Sequence, residues 1–106
     1  MSETIRFRTL FIAFVLFFAS LGFAQPGKAT YDAKCQSCHG ADGMASSGAG
    51  KILKVKPASD PAVKKMSDAD MVAAVRNGMG KMQPYKNSLT DAQIKDAVDY
   101  FRTFVK

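Results

Sequence analysis

The segment Lys34–Gly43, KCQSCHGADG, holds both cysteines of the chain, Cys35 and Cys38, and its only histidine, His39. All three fall within five consecutive residues of a 106-residue chain. A helix carried through this stretch places them at i, i+3 and i+4, on one face. Two thiols and one imidazole can then address a single object.

Three readings of the pair are weaker than a fourth. A disulfide across a two-residue spacer constrains almost nothing, because the stabilisation grows with the length of the closed loop. A structural zinc site needs four ligands, and the chain has no second cysteine or histidine pair. A thioredoxin-like dithiol belongs with a βαβ pattern that is missing here. C-x-x-C-H is the attachment signature of c-type haem, in which the thiols add to the vinyl groups and the adjacent histidine binds iron. Cys35 and Cys38 are therefore the expected thioether positions and His39 the expected proximal ligand, with one haem c per chain.

The N-terminus agrees with this chemistry. Arg6 and Arg8 precede an apolar run from Leu10 to Ala19, and Gly22 and Ala24 stand before Gln25. That is the layout of a secretory signal peptide over residues 1–24, with an uncleaved membrane anchor as the alternative. No cysteine stands at the cleavage point to be acylated. The domain is then residues 25–106, exported to the periplasm, where haem attachment takes place. Its 82 residues are too few for a self-sufficient core, so a staple and an apolar filler are expected. A covalently held porphyrin supplies both.

The chain carries 15 basic and 9 acidic residues. Without Glu3, Arg6 and Arg8 these become 13 and 8, a net charge of +5. No stripe of interleaved aromatic and basic residues marks a nucleic-acid interface, so acidic protein surfaces are the expected partners.

Beyond the motif the pattern is helical. Lys28 to about Cys38 is helix-tolerant. Gly40–Asp60, rich in glycine and serine, reads as a long loop, with Ile52, Leu53 and Val55 as an apolar patch turned inward. Ser67 with Asp70 forms a capping box ahead of Met71, Ala74 and Val75, and Gly78 stops that helix. Thr90 with Gln93 repeats the device ahead of Ile94, Ala97, Val98 and Phe101. Strand signals are absent, so the expected class is all-α, three or more helices joined by one long and one short loop.

Iron held by His39 has one axial position left, a second histidine is not available, and a methionine, a lysine or an open site remain. Met71 lies on a core stripe, and Met44 and Met66 sit beside loop or cap residues as gap-fillers. Met79 and Met82 both lie in the turn before the last helix and remain alternatives on this reading.

CQSCHGADG, with SDADMVAAVRNGMGKMQPYKNSLTDAQIKDAVDYFRTF after the loop, resembles the small bacterial class I c-type cytochromes over essentially all of residues 27–106. The resemblance implies the cytochrome c fold, three to four helices around one covalently bound haem. It favours Met82 as distal ligand, because K-M-x-P-Y, here Lys81 to Tyr85, is a family pattern; Met79 is the alternative. It also sets Gly27 and Tyr31 of the first helix against Tyr100 of the last. One departure stands out. Many relatives have a proline whose carbonyl accepts from the ligand histidine, and Gly48 stands near that place here, leaving a less rigid loop.

His/Met ligation closes both axial positions and leaves one-electron exchange. No carboxylate pair, activated nucleophile or phosphate loop is visible elsewhere, so the expected role is an electron carrier of a respiratory chain and not an enzyme. Lys28, Lys34, Lys81 and Lys86 would meet acidic redox proteins, whether dehydrogenase, oxidase or reductase. A monomer is expected, touching membrane only if the N-terminal segment is retained. Two other functions fit the same motif: a haem-based gas sensor or small haem enzyme with a labile sixth ligand, and a cytochrome subunit of a larger oxidoreductase complex.

Overall fold

The caps read from the sequence open the two longest helices of the computed structural model, which describes residues 25–106. The expected signal segment, residues 1–24, lies outside the described residues. Six helices follow in chain order: α1 (Lys28–Lys34), α2 (Gln36–His39), α3 (Gly48–Ile52), α4 (Pro61–Lys64), α5 (Asp68–Asn77) and α6 (Asp91–Arg102). The fold is all-α among these residues, and none of the helices is long and apolar enough to cross a membrane.

At the start of α5 the Asp70 backbone N–H donates to Ser67 Oγ at 3.1 Å, and the Ser67 N–H donates back to the Asp70 carboxylate at 3.4 Å. The same reciprocal pair opens α6, with Gln93 N–H to Thr90 Oγ1 at 3.1 Å and Thr90 N–H to Gln93 Oε1 at 2.9 Å. Each pair satisfies two donors that a helix start leaves unpaired. At its other end α6 is tied to α5, since Arg102 pairs with Asp68 at 2.6 Å and donates to the Met66 carbonyl at 3.1 Å.

The core is small and has two parts. Val63, Met71 and Val98 form a buried cluster, edged by Met66, Val72, Val75, Phe101 and Val105. The second part is aromatic: Tyr31 lies 5.2 Å from Tyr100 and 5.8 Å from Phe104, and Tyr100 lies 5.3 Å from Phe104, ring centre to ring centre. These tilted arrangements suit the ring quadrupoles. They sit where α1 crosses α6. Gly27, the N-cap of α1, lies so close to α6 that a Cβ there would stand 2.1 Å from the Asp96 carbonyl oxygen.

Tyr31 is 1% exposed, and its hydroxyl donates to the Gly40 carbonyl at 2.6 Å. Burial raises its ionisation well above the ordinary phenol range, so it stays a neutral donor. Tyr31→Phe removes this donor and leaves the buried Gly40 carbonyl with only the Gly43 N–H, at 3.2 Å. It is expected to cost about 0.5–1.5 kcal/mol, read from chemical denaturation of the haem-loaded protein. Unchanged stability would mean that the bond contributes nothing.

Two expectations need correcting. The Gly40–Asp60 stretch is not wholly loop, for it contains α3, and α4 begins immediately after it. Ser47 Oγ accepts from the Gly50 N–H at 3.0 Å to start α3, and Asp60 accepts from the Ala62 N–H at 2.8 Å with Pro61 at the first position of α4. Helices of four or five residues are too short to show a period, so only these caps announce them. Nor does the Ile52–Val55 patch turn inward. Ile52 is 77% exposed and Leu53 37%, while Val55 is half-buried. The inward face of α3 is Gly50, where a Cβ would stand 2.5 Å from the Cys38 carbonyl oxygen and 2.6 Å from that of Ala45. Ile52, two residues on, is rotated about 200° round the helix to the outside.

Candidate functional site

Cys35 ends α1 and caps α2, with φ −115° and ψ −33°, so the expected single helix is broken into two at the first cysteine. The turn stays helical in its bonding: His39 N–H donates to the Cys35 carbonyl at 2.9 Å and Cys38 N–H to the same oxygen at 3.3 Å. The i, i+3, i+4 placement therefore survives. Neighbouring segments hold the turn rigid. Ser47 Oγ donates to the Ser37 carbonyl at 2.7 Å, Ala45 N–H to the His39 carbonyl at 2.8 Å, and Tyr31 grips Gly40.

Neither cysteine is in a disulfide, and both are half-buried. Burial, reinforced by Cys38, pushes the Cys35 thiol up to about 11, so it is protonated at neutral pH. Burial also lowers the His39 pKa, which keeps the imidazole neutral with a lone pair to give. The Phe101 ring stands edge-on to the His39 ring, with centres 5.4 Å apart and planes at 66°.

His39 Nδ1 is buried and has no hydrogen-bond partner. No residue among those described, Gly48 included, accepts a hydrogen bond from it. Gly48 is instead the first residue of α3, with open space where its side chain would be. Phe101 packing and the backbone of α2 orient the ring in place of that bond.

Met79 and Met82 face each other across a tight turn, with Met79 N–H to Met82 O at 3.1 Å and Met82 N–H to Met79 O at 2.9 Å. The segment after it is stitched in place. Tyr85 N–H donates to the Val75 carbonyl at 2.9 Å and Lys86 N–H to that of Arg76 at 3.2 Å. The Tyr85 hydroxyl donates to the Lys34 carbonyl at 3.1 Å, one residue before Cys35. The structure thus joins the methionine turn to the cysteine segment through Tyr85. No hydrogen bond or ring contact links either methionine to His39 among the described residues.

The donor set fits a haem. Two unjoined thiols and a neutral, half-buried imidazole lie along one turn, yet no three His, Cys, Asp or Glu side chains among the described residues converge as ligands of a bare ion do. A flat group that each residue meets at a different atom suits that spread better than a point charge. Met44, Leu53 and Met79 add large, exposed apolar side chains. Sequence reasoning missed the contact of Phe101 with His39 and the role of Phe104. Their signal was the aromatic spacing Tyr100, Phe101, Phe104 at the end of α6, which periodicity alone assigns to ordinary core.

No curated protein matches the chain closely enough to count as a relative. The family model described as "cytochrome c oxidase, cbb3-type, subunit III" matches residues 22–101. Among solved structures the chain is similar to the KustC0563 c-type cytochrome, with a TM-score of 0.69 and 30% identity over 76% of this chain and 98% of that one. Both findings agree with the C-x-x-C-H turn and the crossing of the first and last helices: the chain belongs to the cbb3-type subunit III family of c-type cytochromes, as a small class I member with the cytochrome c fold.

Proposed function

We propose that this protein is an exported one-electron carrier. It holds one haem c through Cys35 and Cys38, with His39 as the proximal and Met82 as the distal iron ligand. The observation that carries the reading is the rigid Cys35–His39 turn, with its neutral, half-buried imidazole set edge-on to Phe101. A bound haem supplies reversible gain and loss of a single electron.

The chain's own residues supply the rest. His39 gives a lone pair from a ring that burial keeps unprotonated, and Phe101 limits its tilt. Tyr31 fixes the carbonyl next in line, so the turn does not drift when charge changes beside it. Met82, half-buried in a hydrogen-bonded turn, offers a soft thioether that favours the reduced state. Were His39 and Met82 both to bind the iron of such a haem, no position would stay open for a substrate, and this favours a carrier over an enzyme.

Export to the periplasm rests on the charged, apolar and small-residue zones of residues 1–24. Lys34, Lys81 and Lys86 are exposed and make no ion pair among the described residues, whereas Lys28 is paired with Asp32 at 2.6 Å. Lys34 and Lys81 flank the cysteine segment and the methionine turn, and with Lys86 form a rim for acidic redox partners. The description of the matching family names an oxidase subunit, and this favours service to, or membership of, an oxidase complex as the second reading.

The purified protein from cells competent in haem attachment tests the proposal. The expected mass is that of residues 25–106 plus one haem. The expected ferric spectrum shows the weak red-edge band of thioether ligation. Ready CO binding without that band would favour the gas-sensing reading. Electron transfer to an acidic partner should slow as salt rises, and a flat response would remove the lysine rim.

A further inference from the structure

The turn between α5 and α6 presents two thioethers where one is needed. Met79 and Met82 exchange both backbone hydrogen bonds, at 3.1 and 2.9 Å. Residues paired in this way across an antiparallel ribbon project their side chains to the same face, with Cα atoms about 5.5 Å apart. The connecting residues are Gly80 and Lys81, and of the two only Gly80 has a positive φ, 57°. Glycine at the first central position is the mark of a type II′ hairpin turn, whose twist locks this register. The register is also enforced from below, since a Cβ on Gly78 would stand 2.8 Å from the Met82 carbonyl oxygen.

The two sulfurs differ in how they are held. Met82 is half-buried, whereas Met79 is 61% exposed, the most exposed of the described methionines. Moving Met79 breaks little packing against the rest of the chain, and its unbranched side chain adapts readily. We propose that Met79 is a reserve axial ligand, stored on the same face as Met82 and able to take its place on the iron. The proposal rests on the reading of Met82 as the distal ligand. Its consequence is that loss of one thioether does not open the site to small gases. Lys81, at the tip of the same turn, is the competing donor, but an amine gives no thioether band.

Three haem-loaded variants test this at neutral pH: Met79→Leu, Met82→Leu and the double substitution. Met79→Leu is expected to look like the wild type. Met82→Leu is expected to keep a low-spin ferric spectrum with the red-edge band, because Met79 supplies the sulfur. The double variant should lose the band and bind CO promptly. A site left open a tenth of the time or less binds CO at least about tenfold more weakly than one always open, and that ratio between the Met82→Leu and double variants is expected. If Met82→Leu binds CO as readily as the double variant while Met79→Leu stays normal, the reserve role is overturned and the Met82 assignment stands. If Met79→Leu alone loses the band, the Met82 assignment falls. Loss in both single variants overturns the reserve role too, as does a low-spin Met82→Leu spectrum without the band, which would put Lys81 on the iron.

Discussion

Replacing Cys35 and Cys38 together by alanine is expected to yield a colourless polypeptide that weighs only what its amino acids weigh and is largely unfolded. The described domain buries few apolar side chains, and only Tyr31 and Ile94 are large and fully buried. A domain of this size is marginal without an added staple. On the proposed attachment the two thiols would anchor an apolar group among the helices, so their removal would take away the staple and the filling together. Mass spectrometry and the Soret absorption of protein from haem-attaching cells read the first loss, and far-ultraviolet circular dichroism reads the second. A coloured, fully helical double variant of haem-loaded mass would overturn the attachment chemistry.

The second large effect belongs to Gly27→Ala. Gly27 has φ +82°, in the left-handed region, and a Cβ there would meet the Asp96 carbonyl oxygen at 2.1 Å, its carbon at 2.3 Å and the Ala97 nitrogen at 2.8 Å. All three are backbone atoms of α6, which cannot rotate aside as a side chain does. The helices must separate, and the Tyr31–Tyr100 contact at 5.2 Å opens with them. Left-handed strain of about 1–2 kcal/mol adds to overpacking of about 1–3 kcal/mol, for a total of roughly 2–5 kcal/mol. In a domain this small each kcal/mol lowers Tm by about 4–8 °C. Thermal unfolding of the haem-loaded variant measures it. A stability within about 0.5 kcal/mol of the wild type would show that the crossing is not tight. Haem attachment should persist, because the atoms a Cβ on Gly27 would press against belong to Asp96 and Ala97 and not to the motif.

What could be read along the chain was local. C-x-x-C-H declares its chemistry in five residues, and each capping box declares a helix start in four. The one-turn helices α3 and α4 were hidden in glycine- and lysine-rich sequence, because they are too short to show a period. The direction of Ile52 was hidden for a different reason. Alternation along the sequence cannot reveal that Gly50 lies against the Cys38 carbonyl and so decides which side of α3 faces in.

The sequence by itself determined the all-α class and the two long helices and is the source of the proposed attachment residues, because helix capping and thiol and imidazole chemistry depend on neighbours a few positions apart. Tertiary structure alone decided the rest. It placed Phe101 edge-on to His39, left His39 Nδ1 without an acceptor, and paired Met79 with Met82 on one face of a turn tied through Tyr85 to Lys34. Phe101 is 62 positions from His39, and the Tyr85 hydroxyl reaches back 51 residues to its acceptor. Contacts at such separations depend on how α1 and α6 cross, and that crossing is set by the backbone approach that only Gly27 permits.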